Sequence, residues 1–203
     1  MMAKSVLISI RPKWCEKIMS GEKTVEVRKS RPKLKMPFRC YVYCTHGTGA
    51  NTLNIPISKE RLLSDCAING MRSMNCPIGN GKVIGEFVCD RIYHIGNDGR
   101  FIVDGDQALT NGIAMESRLD FQDMRDYLGA RDGYAWHISD LKIYDTPREL
   151  DYFRRECVND LSCESCAMYW NNNGTCGNAA LNLHSPPQSW CYVEEGDHAE
   201  DHD

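Results

Sequence analysis

Residues 21–28 read Gly-Glu-Lys-Thr-Val-Glu-Val-Arg, and this stretch decides how the rest of the chain is interpreted. Its two valines alternate with Glu26 and Arg28, which predicts a strand with one apolar face and one charged face. Gly21 suits a tight turn before that strand, because glycine adopts backbone conformations that other residues avoid. Lys23 falls at the turn, where we expect an exposed side chain.

The sequence on both sides of this stretch predicts short strands with a few helices between them. Further strands are predicted at residues 5–10, 39–44, 82–92, 100–103, 134–138, 141–144 and 189–194. Helices are predicted at residues 12–20, 120–128 and 147–155, with another at 59–67 inside a long connection over residues 45–81. Such a pattern is typical of an α+β protein with a small twisted β-barrel.

Composition places the chain among ordinary globular proteins. Of its 203 residues, 42% are hydrophobic and 26% are charged. No segment approaches the roughly 18 apolar residues that a membrane span needs. The first residues lack the apolar run of a secretory signal peptide. We therefore expect a cytoplasmic protein with no membrane partner.

Charge is distributed unevenly along a chain whose net charge is −4. Residues 11–39 hold ten Lys or Arg against three Glu, whereas residues 196–203 hold four acids and no Lys or Arg. A basic segment inside an acidic protein is either a local anion-binding site or a solvated basic face. Composition alone does not choose between these two interpretations.

The charged stretch belongs to a longer series of motifs. The pattern G-x-K-x-x-E-x-R is carried by Gly21, Lys23, Glu26 and Arg28. It is followed in order by GKVIGEF at residues 81–87, GYAWHI at 133–138 and PPQSW at 186–190. Together these motifs resemble an ASCH domain of the bacterial or phage type, in the PUA-like superfamily. The resemblance covers about residues 4–150 and the last predicted strand.

The resemblance implies a PUA-like barrel with flanking short helices, which binds RNA or a nucleotide in a basic cleft. The implied ligand-binding residues are Gly21, Lys23, Thr24, Glu26 and Arg28. Lys23 suits a phosphate as a point charge, and Arg28 suits a forked contact with a phosphate or base edge. In the competing interpretation, Glu26 and Arg28 only pair on a sheet surface. The negative net charge favours a short or mononucleotide ligand.

An enzyme acting in the same cleft is the first alternative. Some small ASCH proteins are amidohydrolases that deacylate a modified cytidine with a lysine, a threonine and a distant glutamate, and other members are reported to cleave RNA. Lys23 matches the lysine and would be the catalytic residue. Glu26 occupies the threonine position, and Thr24 lies one residue after the lysine. Glu86 and Glu116 are candidates for the distant glutamate.

Four residues near these motifs have two interpretations each. His137 lies in a short apolar strand and is either a core or cleft-wall residue or a general base. Trp14, Tyr134 and Trp136 either stack on a base or fill the core. Residue type alone favours neither interpretation for the aromatic residues.

Eleven cysteines are present, and six of them are scattered through the first part of the chain. These six are Cys15, Cys40, Cys44, Cys66, Cys76 and Cys89. Scattered cysteines in a chain without a secretory signal argue against a disulfide framework. We expect them to behave as small hydrophobic residues.

The other five cysteines lie between residues 157 and 191, in a spacing typical of a metal knuckle. A structural zinc is predicted on Cys157, Cys163, Cys166 and Cys176, because a segment this short buries too little apolar surface to order itself. Cys191 is expected in the barrel core, although Cys191 or His184 could replace Cys157. The alternatives are loose reduced cysteines, a redox pair, or a knuckle that makes the protein an interaction adaptor.

These inferences divide the chain into four parts. Residues 1–155 are expected to form the ASCH/PUA-like barrel, and residues 156–185 the Cys-rich insertion that binds zinc. Residues 186–195 are expected to return to the barrel as a terminal strand, and residues 196–203 to form a disordered acidic tail.

Overall fold

The computed structural model of the chain describes residues 4–46, 79–97, 101–157, 165–172 and 176–195. The helix predicted at residues 59–67, the acidic tail, Cys66 and Cys76 lie outside these ranges. Within them, no helix is long and apolar enough to cross a membrane.

The described residues form short strands and short helices, which confirms the α+β class. The strands are β1 (Ser5–Ile10), β2 (Val25–Arg28), β3 (Phe38–Cys44), β4 (Lys82–Cys89), β5 (Ile92–Asn97), β6 (Phe101–Val103), β7 (Gly133–His137), β8 (Ser139–Arg148), β9 (Phe153–Arg154) and β10 (Trp190–Glu195). The α-helices are α1 (Pro12–Met19), α2 (Gln107–Ser117), α3 (Phe121–Leu128) and α4 (Ala167–Trp170). Single 3-10 turns span Leu150–Tyr152 and Ala179–Leu181.

Two sheets make up the small barrel that the sequence predicts. The six-stranded sheet has the order β8-β4-β3-β1-β10-β9, and the four-stranded sheet has the order β2-β7-β5-β6. Neighbouring strands are antiparallel except β1 and β3, which are parallel. The last strand pairs with the first, with Leu7 opposite Cys191, so both ends of the described chain lie in one sheet.

The buried side chains of the described residues form three clusters, because alternate residues of a strand face opposite sides of its sheet. The cluster between the two sheets contains Ile8, Phe87 and Trp136. The valines of β2 face the other way and pack with Ile113 of α2 and Met124 of α3. A third cluster covers the outer face of the six-stranded sheet. Each fully buried side chain of this kind contributes about 1.5–3 kcal/mol.

The structure corrects two sequence predictions about elements and adds one helix. Residues 147–155 are not a helix: β8 continues to Arg148, and Phe153 lies in β9 with its ring 4.7 Å from that of Tyr41. Pairing with β10 outweighs the helical propensity of this segment. The predicted strand at 82–92 is interrupted at Asp90 and Arg91, and helix α2 was not predicted.

Candidate functional site

The turn before β2 is held by helices on both sides. Gly21 has a φ of +75°, which confirms the tight turn predicted at this glycine. The backbone N–H of Lys23 donates to the carbonyl of Lys17 at 2.8 Å. The N–H of Thr24 donates to the carbonyl of Glu116 in α2 at 3.0 Å. The end of α2 therefore fixes where β2 begins.

Three charged side chains of the motif meet inside the protein, and we call Lys23, Glu26 and Arg28 the charge cluster. Glu26 Oε2 lies 3.2 Å from Lys23 Nζ, and Glu26 Oε1 lies 3.0 Å from Arg28 Nη2. The three residues are only 2%, 7% and 6% exposed. Glu26 and Arg28 do pair, as the competing interpretation holds, but they pair in the interior and not on a sheet surface.

The prediction that Lys23 is exposed was wrong. Its ammonium group donates a 2.7 Å hydrogen bond to the carbonyl oxygen of Ser117, the last residue of α2. It also lies 5.2 Å from the centre of the Trp14 ring. These contacts, together with Glu26, satisfy an amine that would otherwise be too costly to bury.

Arg28 joins the two sheets. Its Nη2 donates to the carbonyl oxygen of Ser9 in β1 at 2.7 Å, and its Nη1 lies 3.4 Å from the hydroxyl of Ser189, the residue before β10. Its Nε is buried and has no hydrogen-bond partner among the described residues.

The charge cluster has an excess of positive charge. With all three groups ionised, two cations face one carboxylate. Burial lowers the pKa of Lys23 below its ordinary 10.5, and Arg28 adds to this effect, whereas Glu26 opposes it. Removing Glu26 would leave two buried cations without a counter-charge.

Three aromatic rings surround the charge cluster, and we call Trp14, Tyr127 and Tyr134 the aromatic rim. Trp14 lies over Lys23, Tyr127 shares a hydrogen bond with Arg28, and Tyr134 is the cross-strand partner of Arg28 on β7. Trp14 and Tyr134 are half-buried, and Tyr127 is 36% exposed. Burial raises the pKa of Tyr127, and the charge of Arg28 acts against that rise.

Each ring of the aromatic rim also carries an exposed cation. The pairs, with distances from the charged group to the ring centre, are Lys13 with Trp14 (4.3 Å), Lys29 with Tyr127 (5.2 Å) and Arg31 with Tyr134 (5.7 Å). The rim rings therefore lie close both to the buried charges and to exposed ones. Cations interleaved with aromatic rings are typical of surfaces that bind single-stranded nucleic acid.

Two of these cations belong to residues 29–35, which connect β2 to β3 and which we call the basic strap. Its sequence, Lys-Ser-Arg-Pro-Lys-Leu-Lys, contains four cations and no acid. All four cations are exposed, whereas Pro32 is buried. The strap is attached to β10, because Trp190 Nε1 donates to the Ser30 hydroxyl at 3.1 Å.

The other motif residues are core or lie at a distance from the charge cluster. Trp136 is fully buried, so it is a core residue. His137 Nδ1 lies 2.6 Å from the carboxylate of Asp90 and is half-buried, and this hydrogen bond lowers the pKa of Asp90. Thr24 joins the site through its backbone, whose carbonyl accepts from the N–H of Ile138.

Glu86 and Glu116 are the candidates for a distant catalytic glutamate. Among the described residues, neither of their carboxylates contacts Lys23. Glu86 lies opposite Tyr41, whose ring belongs to the outer cluster, so it faces away from the charge cluster. It accepts a 2.6 Å hydrogen bond from Tyr144, and burial together with this bond raises the pKa of Tyr144. Glu116 is exposed and contributes its backbone carbonyl.

The scattered cysteines that the structure describes are small core residues, as predicted. Cys15, Cys40, Cys44 and Cys89 are buried and free. Burial raises the pKa of Cys15 and Cys40 and raises that of Cys89 to about 12. Such thiols are not nucleophiles at neutral pH.

The Cys-rich segment is described only in part. Cys157, Cys166 and Cys176 are half-buried free thiols, and Cys163 lies outside the described ranges. Among the residues that are described, no group of three or more His, Cys, Asp or Glu side chains is placed to hold a metal ion. Cys191 is half-buried beside the outer cluster, and His184 is exposed. The zinc site remains a prediction.

Sequence reasoning missed several partners of the charge cluster. Ser117 and Ser9 act through backbone carbonyls, which no side-chain pattern reveals. Tyr127 lies on α3, about a hundred residues from Arg28 in the sequence. The rim could have been recognised only from cations and aromatic residues that lie close together in space. These residues come from three segments that are distant in the sequence, so no local pattern shows them.

No family model and no curated protein matches the sequence. Solved structures do match. The crystal structure of ASCH from Zymomonas mobilis has 19% sequence identity and a TM-score of 0.49, covering 93% of this chain and 86% of that chain. A tyrosine-to-phenylalanine variant of the same protein has 19% identity and a TM-score of 0.50, covering 94% and 90%. The likeness extends over nearly all of both chains and concerns the fold.

Proposed function

We propose that this chain, which has the fold of the Zymomonas mobilis ASCH protein, binds RNA or a nucleotide at the aromatic rim. One observation carries the proposal: each rim ring lies beside a member of the charge cluster, by ring contact, hydrogen bond or strand pairing, and also has an exposed cation close to its centre. Such a ring can stack on a base when its exposed cation moves off the ring face to contact a phosphate. Because the three rings lie around one cluster, they would form a single site.

The two sets of charges would have different roles. The charge cluster is too buried to be the main contact surface, with no member more than 7% exposed. It would contribute a fixed positive potential, which salt screens less than it screens exposed charges. The exposed cations Lys13, Lys29 and Arg31 would make the direct contacts.

The test is the affinity of the protein for a fluorescently labelled single-stranded RNA of eight nucleotides. Lys29→Ala/Arg31→Ala removes two rim cations, and Lys82→Ala/Lys142→Ala removes two cations on β4 and β8 as a charge-matched control. We expect the rim variant to bind at least about tenfold more weakly, because two charge-assisted contacts are lost. The control should bind within about twofold of the wild type, since its charges lie on other strands. Equal losses in both variants, or no loss in either, would overturn the proposal.

A second experiment identifies the ligand class. The protein is purified gently, and any nucleotide or RNA that accompanies it is identified by mass spectrometry. We expect a nucleic-acid component in the wild type and less of it in Lys29→Ala/Arg31→Ala. A component that accompanies both proteins equally would mean that it binds elsewhere.

The lowered pKa of Lys23 beside Glu26 favours hydrolysis of a modified nucleoside or RNA as a second candidate function. Buried ionisable groups with shifted pKa values occur often in catalytic sites. Release of free nucleoside from an N-acylated cytidine, or shortening of a labelled RNA, would support this function if Lys23→Gln abolished it in a folded protein. No turnover of either substrate would leave binding as the function.

We further propose a structural zinc on Cys157, Cys163, Cys166 and Cys176. The spacing of these thiols supports it, because tetrahedral thiolate coordination would stabilise a short segment with little core. Elemental analysis of protein purified without chelator should find about one zinc per chain. Cys166→Ser should lose the metal while RNA affinity is retained. Metal-free wild-type protein would contradict the proposal.

A further inference from the structure

The four cations of the basic strap lack the carboxylate partners that two other surface lysines have. Lys17 pairs with Glu22, and Lys82 pairs with Glu149. Within the described residues, no carboxylate pairs with Lys29, Arg31, Lys33 or Lys35. Relative to the part of the chain that the structure describes, the four strap cations are exposed and their positive charges are not neutralised by a carboxylate.

The strap is also held in place at two points along one strand. The Ser30 hydroxyl accepts from Trp190 Nε1 at 3.1 Å, and the backbone N–H of Lys33 donates to the Tyr192 hydroxyl at 2.8 Å. Between and after these attachments, Pro32 is buried and Leu34 packs against the cluster between the sheets. A surface already ordered before binding loses less conformational entropy when a ligand arrives.

Positive charge continues along the strap beyond the aromatic rim. Lys29 and Arg31 lie over rim rings, while Lys33 is attached beside Tyr192, over which Lys4 lies at 4.3 Å. The two attachment residues on β10 are two positions apart, which is roughly 7 Å along a strand. Attachment at two nearby points keeps the strap beside β10, so Lys33 and Lys35 extend its positive charge past the rim.

We propose that the basic strap is a backbone-binding subsite, in which Lys33 and Lys35 contact successive phosphates of a single-stranded polynucleotide whose bases stack on the aromatic rim. The inference rests on the proposed function and makes it more specific. The ligand is then a polynucleotide, and the strap is the part of the protein that contacts the phosphates of this polynucleotide.

Two features favour a single strand over a duplex or a free nucleotide. Rim rings stack only on bases that are not already paired and stacked within a helix. A free nucleotide would fill the rim and leave Lys33 and Lys35 without a partner. The earlier expectation of a short or mononucleotide ligand relied on the net charge of −4, which describes the whole chain and not the acid-free strap.

The test compares Lys33→Ala/Lys35→Ala with the charge-matched control Lys82→Ala/Lys142→Ala in the full chain. Affinities are measured by fluorescence anisotropy for a single-stranded RNA of eight nucleotides, a DNA of the same sequence, the RNA duplex and a dinucleotide. We expect the strap variant to lose roughly tenfold in affinity for the eight-nucleotide RNA and to keep the wild-type affinity for the dinucleotide. The slope of log affinity against log salt should become shallower by about 1.4, since each phosphate contact to a single strand contributes about 0.7.

Each other outcome is decisive. If the strap variant binds the eight-nucleotide RNA like the control, or loses the dinucleotide equally, the strap is not a separate subsite. If the wild type prefers the duplex, the ligand is not a single strand. If the wild type binds none of the four nucleic acids, the proposed function itself fails. Equal losses for RNA and DNA would support the inference and show that the strap reads the shared phosphate backbone.

Discussion

The charge cluster and the basic strap are neighbours in sequence and use the same residue types, yet they have opposite environments. In the cluster, Lys23 and Arg28 are almost fully buried and share one carboxylate. In the strap, the four cations are exposed, with no carboxylate partner in the described parts of the chain. The difference shows that burial and partners, not residue type, distinguish the two sets of charges, and the proposal above gives a binding role to the exposed set.

Removing the shared carboxylate should have the largest effect. In Glu26→Ala, two buried cations lose their counter-charge, so we expect the free energy of unfolding to fall by about 3–5 kcal/mol. Glu22→Ala is the control, because Glu22 is exposed and pairs with Lys17 at the surface. Urea denaturation measures the free energy of unfolding of both variants. A Glu26→Ala protein as stable as the control would mean that the cluster does not hold the fold.

Tyr127 lies between the two regions and separates their roles. We expect Tyr127→Ala to weaken RNA binding by about 1–3 kcal/mol, because one stacking surface is lost. Tyr127→Phe keeps the ring and removes the hydroxyl that bonds to Arg28, so it should keep RNA affinity and lose about 1 kcal/mol of stability. Anisotropy and thermal unfolding measure the two effects. Equal RNA affinities for the two variants would rule out stacking on this ring.

The lowered pKa of Lys23 predicts a pH dependence that exposed lysines lack. Between the lowered pKa and 10.5, the unfolded chain holds a proton on Lys23 that the folded chain has released. Unfolding then takes up a proton, so the contribution of Lys23 to the free energy of unfolding rises with pH, by at most about 1.4 kcal/mol per pH unit. Below the lowered pKa, both states are protonated and the contribution is constant.

The measurement is the difference in unfolding free energy between the wild type and Lys23→Met as pH is raised toward 10.5. Other groups that titrate in this range cancel in the difference, because both proteins contain them. Lys29→Met is the control for loss of a lysine side chain that is exposed. A difference for Lys23→Met that falls with rising pH would contradict the burial of this amine.

The smallest effect is expected for the stability of strap variants. Lys33→Ala and Lys35→Ala should each change the free energy of unfolding by no more than about 0.5 kcal/mol, because neither side chain is buried. Thermal unfolding checks this value. A loss of several kcal/mol would show that the strap cations support the fold, and the contrast with the charge cluster would then disappear.

The sequence predicted the local parts of this account. Alternation around Glu26 and Arg28 defined β2 and its charged face, and Gly21 defined the turn. Both features are determined by residues that are adjacent in the sequence, and a local sequence pattern can therefore predict them. The motif series also led to the correct fold, which the likeness to the Zymomonas mobilis protein confirms.

The sequence did not predict which charges are buried. Lys23 can be buried because it donates to the carbonyl oxygen of Ser117, which lies 94 residues away. The sequence around Lys23 gives no indication of this contact. Residues 147–155 were wrongly predicted as a helix, since the strands with which Arg148, Phe153 and Arg154 pair are distant in the sequence. In both cases, tertiary contacts outweigh a local preference.

Lysine footprinting tests the central claim most directly. The protein is treated with a small acylating reagent, with and without saturating single-stranded RNA, and each lysine is read by mass spectrometry. We predict that RNA protects Lys29, Lys33 and Lys35 and leaves Lys142 equally reactive, while Lys23 stays unreactive in both samples because it is only 2% exposed. Strap lysines that remain as reactive with RNA as without it would contradict the account.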